Sequence, residues 1–107
     1  MGMPLEELRI DAVEWVPGGI EHMRERRAEQ QAWCPEPEWV SEAALDPRRV
    51  VRVAIPDRSL KVIGWSTSAD RLVKTWLWPW DLDEGVWLIG SATEANTSDA
   101  KRYKEAL

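Results

Sequence analysis

Residues 50–91 decide the fold, and they read VVRVAIPDRSLKVIGWSTSADRLVKTWLWPWDLDEGVWLIGS. The stretch contains four runs rich in β-branched and aromatic residues, which predict strands at Val50 to Ile55, Leu60 to Ser66, Leu72 to Trp78 and Val86 to Ser91. Short polar or proline-containing segments separate the runs. Connections this short join antiparallel neighbours, so the sequence predicts a twisted antiparallel meander.

Helical patterns flank this sheet on both sides. A short first strand is predicted at Ile10 to Val16, followed by a polar helix from Ile20 to Ala32 and a second short helix around Trp39 to Ala44 that Asp46-Pro47 ends. After the meander, Asn96 or Thr97 can cap a last helix whose Ala100, Tyr103 and Leu107 share one face. The predicted order is β-α-α-β-β-β-β-α, an α+β class of fold.

Length and composition limit the kind of protein. The 107 residues suffice for one core, so residues 1–107 are expected to form a single domain. With one cysteine, Cys34, no intrachain disulfide can form, and with one histidine the usual zinc sites cannot be built. No nucleotide-binding or calcium-binding motif is present either, so we expect no metal and no cofactor. Met1 to Glu7 lacks the features of a secretion signal, and a cytoplasmic location is expected.

Charge is distributed unevenly along an acidic chain. The net charge is −5, which argues against a protein that coats nucleic acid through its overall field. Residues 46–78, however, contain seven basic and three acidic groups, whereas residues 1–45 contain four basic and ten acidic groups. A local basic patch is therefore one interpretation of the middle segment, and a solvated face is the other.

Tryptophan supplies nearly all the aromatic bulk, because the chain has eight tryptophans, one tyrosine and no phenylalanine. Trp76, Trp78 and Trp80 alternate along one predicted strand, which would place three indoles on one face of the sheet. We expect the helices to cover this face and the rings to form the core, since a large open aromatic patch is a liability. If the face were open, the rings could stack on bases or sugars.

The first helix contains the residues with the most suggestive chemistry. His22 and Arg26 are four residues apart and share a helical face, near Arg24 and Arg27. Together with Arg58 and Arg71 at predicted strand ends, they could cleave RNA without a metal, since a histidine can move the proton of the 2′-hydroxyl while arginines neutralise the phosphate. Alternatively, His22 is a surface residue and the arginines balance the glutamates of the same helix.

Several short motifs follow one another between Val13 and Leu107. They are Val13-Glu14-Trp15, the helix with His22 and Arg26-Arg27, residues 38–47 (EWVSEAALDP), Arg58, Ile63-Gly64-Trp65-Ser66, Arg71-Leu72-Val73, Ser91-Ala92, Ala95 and Tyr103. In their order and spacing they resemble the BrnT family of ribonuclease toxins, which belong to type II toxin–antitoxin systems and have a RelE-like fold.

The resemblance implies an endoribonuclease, active or weakened, that a cognate antitoxin protein inhibits, as a homodimer or a toxin–antitoxin hetero-oligomer. On this hypothesis the catalytic residues are His22 for proton transfer, Arg26 for charge stabilisation, Arg58 and Arg71 for holding phosphate, and Tyr103 for orienting the RNA. Arg27 and Lys74 would also bind the substrate. The alternative is a noncatalytic protein-interaction domain that keeps the fold. Clustering of the cationic residues around one concavity would favour the enzyme.

Overall fold

A computed structural model of the protein describes residues 9–53 and 59–106. It contains five strands and three helices in the predicted order. They are β1 (Ala12–Trp15), α1 (Gly19–Glu29), α2 (Pro37–Ala44), β2 (Val50–Val53), β3 (Leu60–Ser66), β4 (Arg71–Asp81), β5 (Val86–Glu94) and α3 (Thr97–Glu105). None of the helices in the described ranges is long and apolar enough to cross a membrane.

The strands form one sheet in the order β1-β5-β4-β3-β2. Strands β2 to β5 are antiparallel neighbours, which confirms the predicted meander. Strand β1 pairs in parallel with β5, through Ala12–Trp15 and residues 86–89. The first and last strands of the sequence are therefore adjacent, and the outer edge of β5 beyond Ile89 lies beside α1 rather than beside another described strand.

The core lies between α2 and one face of the sheet. Val40, Ala43 and Ala44 of α2 are fully buried, as are Val73 and the other inward-facing residues of β4, Thr75 and Leu77. Gly64 of β3 lies opposite Val73, and a Cβ at this position would collide with the main-chain oxygen of Ala43. The absence of a side chain at Gly64 thus lets the helix backbone touch the sheet, as residues without a Cβ allow.

The last helix packs on the opposite face. Asn96 caps α3 as predicted: its side chain accepts a bond from the Asp99 amide, and the Asp99 carboxylate accepts one from the Asn96 amide. Asp99 also pairs with Lys74, at 2.9 Å, and Lys74 follows the inward-facing Val73 in β4. Because neighbouring residues in a strand point to opposite faces, this ion pair places α3 on the face away from α2.

The expectation that Trp76, Trp78 and Trp80 form the core is wrong. In this strand, Thr75 and Leu77 point toward α2. Trp76 therefore points to the other face, and it is only partly buried. Strand β4 then runs beyond Leu77, where its pairing with β3 ends, and bulges interrupt its register with β5. Trp78 and Trp80 lie on this extension and are 37% and 69% exposed, because the helices cover other parts of the sheet.

Candidate functional site

A cleft of about 350 Å³ lies between α1 and the end of β5. Its walls combine one side of α1 with the second half of β5 and one aromatic side chain of β4. The lining residues are His22, Met23, Arg26, Arg27, Gln30, Trp76, Ser91, Ala92 and Thr93. The volume is at the lower end of the range for ligand pockets, and the mixture of cations, hydroxyls and an indole suits a polar ligand with an aromatic part.

Helix α1 presents two different sides to this cleft. It begins after Gly18, whose φ of 74° lies in the left-handed region that glycine adopts most easily. Met23 and Arg27 point inward and are buried, which anchors the helix to the sheet. His22 and Arg26 are exposed, and their spacing of four residues places them one above the other along the cleft.

Arg27 is already committed to contacts within the protein. Its Nη1 donates to Glu94 Oε2 at 3.0 Å, and its Nη2 donates to the Gln30 side chain. The Arg27 side chain is 11% exposed and the Glu94 side chain 38% exposed, so the pair is partly shielded from water. This geometry makes Arg27 the link between α1 and β5, and it leaves little of its charge for a ligand.

The side chains of His22 and Arg26 have no hydrogen bond or ion pair within residues 9–53 and 59–106. The predicted alternative, in which helix glutamates balance the arginines, is therefore not what the structure has for Arg26. Arg24, by comparison, lies 4.0 Å from Glu36 and does not line the cleft. The two free groups, one turn apart, can approach the same anion.

Trp76 forms the strand wall of the cleft, and Lys74 lies beside it. Lys74 Nζ is 5.5 Å from the centroid of the Trp76 ring and 2.9 Å from Asp99 Oδ2. Burial raises the pKa of Asp99, but bonds from the Asn96 amide and from Lys74 outweigh burial, and the net pKa is lowered. Asp99 is thus a charged partner for Lys74, which holds that ammonium away from the open cleft.

A row of side chains continues from the cleft across the sheet. Ser91 lies opposite Trp76, Trp76 opposite Lys61, and Lys61 opposite Arg52. Directly opposed residues share a face, and strands about 4.8 Å apart place the ends of such a row roughly 14 Å apart. Neither Lys61 nor Arg52 is in an ion pair with the described residues. Two cations of the predicted basic segment, Lys61 and Arg52, therefore lie side by side on the face of the sheet that contains Trp76.

Arg71 lies outside this cleft. Its guanidinium carbon is 3.9 Å from the centroid of the Trp33 ring, and Trp33 stacks on Trp39 at 6.1 Å with an angle of 10°. This stack joins the loop after α1, the helix α2 and the beginning of β4, so Arg71 has a structural contact. Arg58, the other predicted phosphate ligand, lies outside the described residues.

Tyr103 lines a second cleft, with Asp46 and Trp65 among its neighbours. The Tyr103 hydroxyl donates to Asp46 Oδ2 at 2.6 Å, and the Trp65 amide donates to the same oxygen. Burial, together with the bond to the Asp46 carboxylate, raises the pKa of Tyr103 to about 12. Tyr103 therefore shares no cleft with His22 and Arg26, and its hydroxyl is occupied.

The structure thus brings together His22, Arg26 and Arg27 of the predicted site, with Lys74 close by, and it places Arg71 and Tyr103 elsewhere. Sequence reasoning missed Trp76 as a wall of the cleft and the register of Lys61 with Arg52. Alternation along each strand indicates which face these side chains lie on. Which residues lie opposite one another follows only from the pairing of β2, β3 and β4. Among the described residues, no group of three or more His, Cys, Asp or Glu side chains could hold a metal ion.

Comparison with known proteins adds no relative. No family model, no curated protein and no solved structure matches this chain.

Proposed function

We propose that this chain is a BrnT-like toxin of a type II toxin–antitoxin system, with a RelE-like fold, and that it cleaves RNA without a metal in the cleft between α1 and β5. The observation that supports this best is that the side chains of His22 and Arg26, which have no hydrogen bond or ion pair to the described residues, line one cleft with Trp76. A proton-transfer group, a cation and a stacking surface are the parts that cleavage of a single strand requires.

His22 performs the proton transfers in this proposal. It accepts the proton of a ribose 2′-hydroxyl, and the 2′-oxygen forms a bond to the adjacent phosphorus. The bond from phosphorus to the 5′-oxygen breaks, and His22 returns the proton to that leaving oxygen. The products are a 2′,3′-cyclic phosphate and a 5′-hydroxyl, and no oxidant, reductant or metal enters the balance.

Arg26 and the strand wall hold the substrate. The Arg26 guanidinium neutralises the charge that builds up on the phosphate oxygens during attack, which is the largest electrostatic requirement of the reaction. The exposed part of the Trp76 ring stacks on a base next to the cleaved bond. Lys61 and Arg52 bind phosphates further along the RNA chain. Arg71 and Tyr103 take no part in the reaction here and stabilise the fold, since one stacks on Trp33 and the other bonds to Asp46.

The direct experiment measures cleavage of a single-stranded RNA by the purified protein in the presence of EDTA. We expect His22→Ala to slow cleavage roughly 100- to 10,000-fold, the usual contribution of a general acid–base group. Arg26→Ala should also slow it. Arg24→Ala is the matched control, because it removes the same charge from the same helix outside the cleft. Equal rates for the His22 variant and the native protein would refute the site.

A noncatalytic protein-interaction domain is the second candidate. The observation in its favour is the exposure of Trp80, Leu82 and Trp78 at one end of the sheet. In a toxin–antitoxin system this surface would be available to the antitoxin, and in a noncatalytic domain it would be the main functional surface. Intact RNA with every variant, combined with binding of a protein partner, would favour this candidate.

A further inference from the structure

The end of β4 and the turn that follows it form an apolar and acidic tip, made of residues 78–84. Trp78, Trp80 and Leu82 are 37%, 69% and 48% exposed. A single exposed apolar residue is ordinary, but two indoles and a leucine within five residues form a concentrated patch. Tryptophans of this kind supply most of the binding energy at many protein interfaces.

Three carboxylates belong to the same short segment as this patch. Asp81, Asp83 and Glu84 are exposed, and none of them is in an ion pair with the described residues. The nearby guanidinium of Arg9 is bound to Asp11 at 2.5 Å, and it also donates to the main-chain oxygen of Asp83. Among the described residues, the net charge of the tip is therefore negative.

Contacts within the protein also hold the tip in place. The Asp81 side chain accepts a bond from the Glu84 amide, which fixes the turn, and the Asp11 amide donates to the Gly85 carbonyl at 2.8 Å. The Trp78 ring lies against Gly90, where a Cβ would collide with it. A surface held in place in this way loses little conformational freedom on binding.

We propose that this tip is a docking surface for a protein segment in which apolar side chains alternate with lysine or arginine. The apolar residues would cover Trp80 and Leu82, and the cations would meet Asp81, Asp83 and Glu84. The same carboxylates repel the phosphates of RNA and of anionic lipids, which is why a cationic protein segment is the occupant that the charge favours. The inference is independent of catalysis in the α1–β5 cleft.

The test uses the full chain and a short dye-labelled peptide in which leucine alternates with lysine and arginine, and it measures fluorescence anisotropy. We expect binding that weakens roughly thirtyfold with Trp80→Ser, a loss typical of an interface hot spot. The triple change Asp81→Asn/Asp83→Asn/Glu84→Gln should weaken it at least tenfold. A peptide with glutamate in place of the basic residues should not bind.

A matched control separates docking from simple charge attraction. Glu21→Gln/Glu25→Gln/Glu29→Gln removes the same number of carboxylates from the exposed side of α1. Binding should be unchanged in this variant, and an equal loss in both triple variants would overturn the proposal. Self-association lost with Trp80→Ser, or partition into neutral phosphatidylcholine vesicles without peptide binding, would assign the tip to another occupant and overturn it too. RNA cleavage is measured separately on all variants, so failure of one proposal does not affect the other.

Discussion

Tyr103 on the last helix donates its hydroxyl proton to Asp46 in the segment after α2, at 2.6 Å. The same carboxylate accepts bonds from the main-chain amides of Trp65 and Arg48, so one side chain joins α3, β3 and the loop before β2. The pair of Tyr103 and Asp46 therefore fixes α3 to the sheet.

The ionisation of Tyr103 should occur well above its ordinary range. Its pKa is raised to about 12, by burial first and then by the bond to Asp46. Tyr103 is the only tyrosine, so absorbance of tyrosinate in the near ultraviolet reports it alone. We expect a midpoint near 12 in the folded protein and near 10 in urea. Since the folded pKa is the higher one, this contribution to stability is complete below pH 10 and is lost between the two values. A midpoint near 10 in protein that tryptophan fluorescence shows to be folded would contradict the contact.

Removing the Tyr103 hydroxyl should destabilise the fold without changing its shape. Tyr103→Phe keeps the ring and deletes the donor, and a hydrogen bond to a charged group contributes about 1.5 to 3 kcal/mol. Asp46 keeps its two amide donors, so the loss should fall at the lower end. Urea unfolding measures it, and Tyr103→Phe should leave RNA cleavage intact at temperatures where the variant is folded. A strong loss of cleavage in the folded variant would return Tyr103 to the catalytic site.

Acid should destabilise the protein through three carboxylates that have lowered pKa values. For Glu42, the main causes are bonds from the Ser68 amide and the Ser66 hydroxyl. For Asp46 and Asp99, burial raises the pKa, but hydrogen bonds and nearby cations outweigh it. A depressed folded pKa gives stability that is present above the unfolded value and lost as the pH falls through the folded one.

The melting temperature should therefore be level from pH 7 to about 5 and fall below about pH 4, where ordinary carboxylates also begin to titrate. Glu42→Gln should lower stability at neutral pH and reduce the acid-dependent part of the fall. Glu38→Gln, on the same helix, is the control. An identical acid profile for the Glu42 variant and the native protein would show that its bonds to β3 and the following turn contribute nothing.

Most strands and helices could be predicted from the sequence, because short runs of consecutive residues determine them. The β-branched and aromatic content of Leu60 to Ser66 and the cap at Asn96 are visible in a few consecutive residues, and both agree with the structure. The exposure of Trp80 was not predictable in this way. It depends on where β3 stops pairing with β4 and on bulges in the β4–β5 register, which are properties of distant partners. The position of Arg71 on Trp33 likewise depends on how the loop after α1 returns to the sheet.

The pair of Arg27 with Glu94 should matter for stability rather than for RNA. Glu94→Gln keeps the size of the side chain and leaves the partly buried Arg27 guanidinium without its charged partner, which should cost about 1 to 2 kcal/mol because water still reaches the pair. The midpoint of urea unfolding measures the cost. Cleavage by the folded Glu94→Gln protein should be within about twofold of native. Faster cleavage by this variant would indicate that the released Arg27 binds phosphate.

A last prediction concerns Lys61 and Arg52, at the far end of the row of side chains that begins at the cleft. If Lys61 and Arg52 bind phosphates of a single strand, replacing both with alanine should weaken RNA binding for all sequences alike. The dependence of binding on salt should change as well, with the slope of log K against log salt less steep by roughly 1.4, about 0.7 for each lost contact. The reference variant is Lys101→Ala/Lys104→Ala, which removes two exposed cations from α3. Loss of positive charge in general affects both variants. Only a larger change of slope for the Lys61 and Arg52 variant would therefore show that the RNA binds along that row. Equal changes of slope in the two variants would show that the RNA binds elsewhere.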